Sequence, residues 1–149
     1  MSFQKILVAI DFGSTVAELL HHAEEEARLH QAQLTLLHVF DTQIMELQLP
    51  EELLPNSLEM LQRLRSLAQE RLESLQKSLS LATDAVLLEK SGNIGRNICG
   101  YASEKGFDLI IVGSQDQGAI GRLLLGSVAT SVVHHAACPV LVYKNSAKA

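Results

Sequence analysis

The chain predicts one α/β domain, residues 1–149, built as a doubly wound five-stranded parallel sheet with helices on both faces. Three observations carry this. Five short runs rich in Ile, Leu and Val recur along 149 residues, and each reads as a strand buried on both faces. Between them, apolar residues recur at steps of three and four, the spacing of amphipathic helices. Regular alternation of the two patterns implies parallel strands joined by helical crossovers. The length suits one substantial core, and the chain carries no internal repeat, low-complexity segment or linker.

The elements follow in order. "FQKILVAID" (3–11) is the first strand and ends in Asp11. A turn at Gly13-Ser14 leads to Thr15 and Glu18, spaced as a capping box. Behind it, Val16, Leu19, Leu20, Ala23, Ala27 and His30 fall near helical spacing, while Glu24, Glu25 and Glu26 are expected mostly to face water. "AQLTLLHVFD" (32–41) is the second strand, followed by a loop punctuated by Pro50 and Pro55. A helix from about 57 to 79 carries a stripe through Leu58, Leu61, Leu64, Ala68, Leu72 and Leu75. The stripe lasts only about three heptads, so a core-facing helix fits better than a coiled coil. "DAVLLEK" (84–90) is the third strand. A turn and short helix (91–106) bury Ile94, Ile98, Tyr101 and Ala102 and end at Gly106. "FDLIIVGS" (107–114) is the fourth strand. A glycine-containing loop, a helix from Ser127 to Ala137 and a last strand "CPVLVYK" (138–144) complete the pattern.

Composition excludes several classes. The residues are 47% hydrophobic and 19% charged, as in a globular protein. Net charge is −5 and there is no Lys/Arg run, which argues against a nucleic-acid partner. No apolar run approaches the ~18 residues that span a bilayer, so no membrane partner is expected. The N-terminus lacks a secretory pattern, and a cytoplasmic location is expected. Cys99 and Cys138 lie in apolar stretches and read as free thiols in a reducing compartment.

Open parallel sheets bind ligands beyond the carboxyl ends of their strands, where strand order reverses. The loops after Asp11, Asp41 and Gly113 are therefore the places to look. "GRLLLGSV" (121–128) has the glycine separation of a P-loop but no lysine. The longer stretch "GSQDQGAIGRLLLGSVATSV" (113–132) combines glycines, which let backbone approach a ligand, with a helix start at Ser127. Two readings stand at this point: an anion cradle, or a helix cap behind a loop.

These residues resemble the universal stress proteins. That family carries G-x2-G-x9-G-[ST] after its fourth strand, where the motif holds the phosphates and ribose of ATP. Gly113, Gly126 and Ser127 match its first, third and fourth fixed positions, and Asp116 stands where the family has its second glycine. "ILVAIDF", "LTLLHVFD", "LLLGSV" and "HAACPVLVY" are also similar, so the resemblance covers nearly the whole chain and is weakest over 42–82. It implies a Rossmann-like sheet of order 3-2-1-4-5. It implies an ATP or other adenine-nucleotide site formed by Asp11, Val39, Gly113, Asp116, Gly126 and Ser127. In that site Asp11 lies near adenosine and a phosphate-bound Mg²⁺, and the Val39 backbone meets the adenine edge. The other reading of Asp11 is a turn-forming Asp after a strand. A carboxylate at 116 about 5 Å from a phosphate costs around 1 kcal/mol or more at an effective dielectric of 20–80, unless a bridging Mg²⁺ reverses the sign.

Other chemistry is sparse. His21-His22 and His134-His135 are adjacent, not the i, i+4 pairs that ligate metals on helices. His38 reads as a satisfied core histidine. No G-x-S-x-G elbow or general base beside a nucleophile appears, so no catalytic residue is assigned and the chain is not expected to be an enzyme. The resemblance implies a stress-response regulator or sensor that binds adenine nucleotide. The alternative is a stress protein of the same fold without nucleotide, acting through dimerisation and protein interaction. In either case it implies a homodimer paired through 138–144.

Overall fold

The computed structural model describes residues 2–41, 43, 52, 57–114 and 125–144. Asp116 and the glycines at 118 and 121 lie outside them. The elements are β1 (Lys5–Ala9), α1 (Val16–His30), β2 (Gln33–Phe40), α2 (Ser57–Ser78), β3 (Thr83–Glu89), α3 (Ile94–Lys105), β4 (Leu109–Gly113), α4 (Ser127–His135) and β5 (Val140–Tyr143). The five strands form one sheet in the order β3-β2-β1-β4-β5, and every pairing is parallel. The α/β fold class and strand order are thus as the residues and the resemblance implied.

Two apolar layers sandwich the sheet. Ile6, Val8 and Ile111 join Leu20, Ala23 and Leu72 on the face covered by α1 and α2. Leu7, Leu37 and Ile110 join Ile98, Ala102 and Val132 on the face covered by α3 and α4. Successive strand residues point to opposite faces, so Ile6, Leu7 and Val8 are all fully buried. This is why the central strands read as unbroken apolar runs. β3 and β5 are the edges, and the four residues of β5 are all half-buried.

Three expectations are corrected. Thr15 precedes α1, but its side chain makes no capping bond. Its φ of −100° and ψ of 4° depart from the extended backbone that aims a cap oxygen at the helix start. Leu58 is 73% exposed, because the inward stripe of α2 is buried most deeply later, at Ala68 and Leu72. Glu24 is buried and does not face water. It follows Leu20 by four residues and precedes Ala27 by three, so it shares their side of the helix. Its Oε1 accepts from the backbone N–H of Ser80 (2.9 Å) and Leu81 (2.8 Å) and from Arg28 (2.7 Å), pinning the turn before β3.

Gly106 ends α3 with φ 74°, as read from the sequence. Among the described residues no helix is long and apolar enough to cross a membrane.

Candidate functional site

β1 and β4 lie side by side in the sheet, and the connections that leave them run to opposite sides, from β1 to β2 and from β4 to β5. A crevice must open where they part, at the carboxyl ends of these strands. A cavity of about 230 Å³ lies there. Asp11, Val39 and Gly113 line it from the ends of β1, β2 and β4, and Thr15, Ile94 and Val128 line it from the starts of α1, α3 and α4. Three of the sequence-derived residues are therefore gathered from strands far apart in the chain. Among the described residues its wall is mostly apolar, with Asp11, Thr15 and His38 as the polar side chains.

Asp11 follows the last buried stretch of β1. Its Oδ1 accepts from the Gly13 N–H at 2.9 Å, closing the turn that leads to α1. The turn role read from the sequence is real, and it engages one carboxylate oxygen. Val39 is buried with Leu37 and Ile98 while lining the cavity. Gly113 ends β4. Its φ is not positive, and among the described residues a Cβ there would meet only Leu19 Cδ2, at an ordinary 3.7 Å. Neither the backbone conformation nor packing against the described residues demands glycine at this position.

The chain returns at Gly126, whose N–H donates to the Ser114 carbonyl at 2.8 Å and sets the start of α4 beside the end of β4. Gly126 is the residue that begins α4, with φ −60° and ψ 163° and no side-chain cap. Ser127 is the first helical residue and does not cap the helix. A helix start of this kind presents N–H groups and a partial positive charge.

The start of α3 differs. Asn93 Oδ1 accepts from Arg96 N–H at 2.9 Å and from the Ser131 hydroxyl at 2.8 Å. A Cβ on Gly95 would stand 2.4 Å from Ser131 Cβ, so α3 and α4 approach closely only because residue 95 is glycine. Asn93 before an apolar helical pattern was a readable cap signal; the Gly95 contact had none, because Ser131 lies far along the chain.

His38 is more than a core residue. Its Nδ1 lies 2.9 Å from the Ile10 carbonyl, its ring is 4.3 Å from that of Phe12, and it lines the cavity. Burial pushes its pKa below 6.5, against the raising effects of the Ile10 bond and Asp11. Cys99 is buried and its Sγ lies 3.6 Å from the Val132 carbonyl. Burial raises both cysteine pKa values, which makes these thiols poor nucleophiles. No group of three or more His, Cys, Asp or Glu that could hold a metal exists among the described residues.

Fold and crevice together define a class: open α/β domains with a ligand cleft at the reversal of strand order. The chain belongs to the universal stress protein family, whose model matches residues 2–144. It is 32% identical over 144 residues to a universal stress protein of Thermus aquaticus, covering 95% of this chain and 99% of that one. It is 29% identical over 150 residues to universal stress protein YxiE of Bacillus subtilis, covering 95% and 99%. Among solved structures, the hypothetical protein MJ0577, whose biochemical function was assigned from its structure, superposes with a TM-score of 0.80 at 26% identity, covering 99% and 100%. A universal stress protein from Archaeoglobus fulgidus, solved in complex with dAMP, superposes with a TM-score of 0.64 at 25% identity, covering 95% and 98%.

Proposed function

We propose that the chain binds ATP or a related adenine nucleotide together with Mg²⁺ and acts as a cytoplasmic stress-response regulator or sensor, without catalytic turnover. One observation carries the reading. The cavity at the strand-order reversal combines an apolar wall, a carboxylate at Asp11 and a glycine at 113 that packing against the described residues does not require. Beside Gly113 begins a helix with no side-chain cap. The apolar wall suits a base, and the helix start suits a phosphate. A relative solved with dAMP supports the same ligand class.

The metal fits as a nucleotide-borne ion. Mg²⁺ is commonly held by one or two carboxylates plus substrate phosphates and waters. Asp11 supplies one carboxylate, and no cluster among the described residues would hold the ion alone. The ion would neutralise phosphate charge; Asp11 would orient it. Gly113, Gly126 and Ser127 would hold phosphate and ribose, and Val39 the adenine edge. Asp116 is the feature that favours the second reading, an interaction protein of the same fold without nucleotide.

Calorimetry with ATP and Mg²⁺ separates the two. Binding is expected; no heat and no thermal shift at millimolar ATP would sink the proposal. Asp116→Gly is expected to tighten ATP more than adenosine. For assembly, we propose a homodimer through 138–144: β5 is one of the two edges of the sheet, and an apolar edge invites pairing with a second chain. Light scattering should show a dimer, shifted toward monomer by Val142→Pro, which removes an N–H from the ladder. A natural chain monomeric at tens of micromolar would defeat this assembly.

A further inference from the structure

We propose that His38 is a positioning residue of this site: it grips the chain on both sides of Asp11 and so sets where that carboxylate stands. The ligand consequence rests on the nucleotide reading above; the grip itself does not.

The argument starts from the end of β1. Its last paired residues are Ala9, opposite Leu37, and Val8, opposite Ile111. Ile10 makes one further bond, from its N–H to the Leu37 carbonyl at 2.8 Å. Its own carbonyl lies beyond both ladders, on a residue only 6% exposed, and needs a donor. His38 supplies it from the neighbouring strand at 2.9 Å. A carbonyl only accepts, so His38 Nδ1 carries the proton and donates. This fixes the residue before Asp11.

The residue after Asp11 is held by the same ring. Phe12 lies against His38 with centroids 4.3 Å apart and the planes tilted by 38°. The Arg71 guanidinium of α2 lies over the Phe12 ring, 5.2 Å from its centre. Phe12 is thus held between β2 and α2. With both neighbours fixed, Asp11 has little backbone freedom, and its Oδ1 closes onto Gly13 N–H. Burial favours the neutral ring, which already has the donor the grip needs. A merely structural histidine would support stability without governing Asp11.

The test uses the full chain, labelled with ¹⁵N and free of ligand, and then with Mg-ATP. His38→Phe keeps an aromatic ring near Phe12 and removes the donor. His38→Gln restores an amide donor. The Gly13 amide resonance reports the Asp11 bond directly. It is expected to move in His38→Phe and to return toward its natural position in His38→Gln. Mg-ATP affinity is expected to fall about tenfold in His38→Phe, the scale of one misplaced polar contact. Phe12→Leu breaks the other half of the grip and leaves His38 intact, so it serves even if His38→Phe does not fold. It should move the same resonance. An unmoved Gly13 amide in the folded variants, with affinity within about twofold of the natural chain, overturns the proposal. If the natural chain binds no ATP, the nucleotide reading falls, and the Gly13 amide still decides whether His38 positions Asp11.

Discussion

Two of the three helices that begin beside the cavity, α3 and α4, start in opposite ways. α3 begins at Asn93, whose side chain accepts from Arg96 N–H and from Ser131. α4 begins at Gly126, and no side chain among the described residues acts as its cap. The two starts carry the same kind of positive end. In α3 it is engaged by the protein itself and docked on α4. In α4 it is left to backbone and surroundings, next to Gly113 and the cavity. The difference teaches how one motif serves two ends: a closed helix start builds the wall of a site, and an open one can face a ligand.

The largest expected effect tests the closed end. Helix propensity alone would favour Gly95→Ala by up to about 1 kcal/mol. The contact with Ser131 opposes it, since overpacking costs roughly 1–3 kcal/mol. We expect a net destabilisation of about 1–2 kcal/mol in urea unfolding, partly relieved in a Gly95→Ala, Ser131→Gly double variant. Equal or greater stability in Gly95→Ala would show that the helices are not held by this contact.

The next effect converts the open end into a closed one. Gly126→Asn gives α4 the kind of cap α3 has, and should gain a few tenths of a kcal/mol in stability. If the helix start faces phosphate, ATP affinity should fall about tenfold, equivalent to ~1.4 kcal/mol, while adenosine affinity changes little. Equal losses for both ligands would place the phosphates elsewhere.

Opening the closed end is milder. Asn93→Ala removes the cap of α3 and should cost about 1 kcal/mol. The same urea titration checks it, and ATP and adenosine affinities should move together if at all.

The smallest effect is on pH, and it should come from neither helix start, since Asn93 and Gly126 carry no titratable group. His38 has a folded pKa below its ordinary 6.5. The unfolded chain therefore binds more protons between the two values, and stability is complete above 6.5 and lost as pH falls through that window. Urea midpoints at pH 7.5 and 5.5 should differ in the natural chain and differ less in His38→Phe. On the alkaline side, Cys99 and Cys138 are raised from 9.0 and Tyr101 and Tyr143 from 10.0, chiefly by burial. Their neutral forms favour the fold, so stability is present below about 9 and declines as pH rises further.

What the sequence revealed follows from what is local. Ile6 to Val8 and Ile110 to Val112 are buried on both faces, so their strands read as unbroken apolar runs, and Gly106 announced the end of α3. Asp11 and Gly113 drew attention because they stand at strand ends, where topology directs it; Val39 came from the family resemblance alone, and all three line the cavity. What escaped depends on distant partners. Glu24 is buried because Ser80 and Leu81 donate to it. Gly95 matters because of Ser131. His38 looked like a core residue because nothing near it in sequence points to Ile10 or Phe12. The capping box at Thr15 failed for the converse reason: the pattern is present, but the backbone turns the side chain out of use.

The cavity has a consequence for how long the protein lasts. Its lining comes from β1, β2, β4 and the starts of α1, α3 and α4, so no fragment of the chain contains it. A ligand held there binds only the fully assembled domain, and its free energy adds to the whole unfolding equilibrium. At one hundred times its dissociation constant that addition is about 2.7 kcal/mol. The fraction of molecules open to a protease would fall roughly a hundredfold. Supply of that ligand, nucleotide on the function proposed above, would then set abundance as well as occupancy, with no change in synthesis.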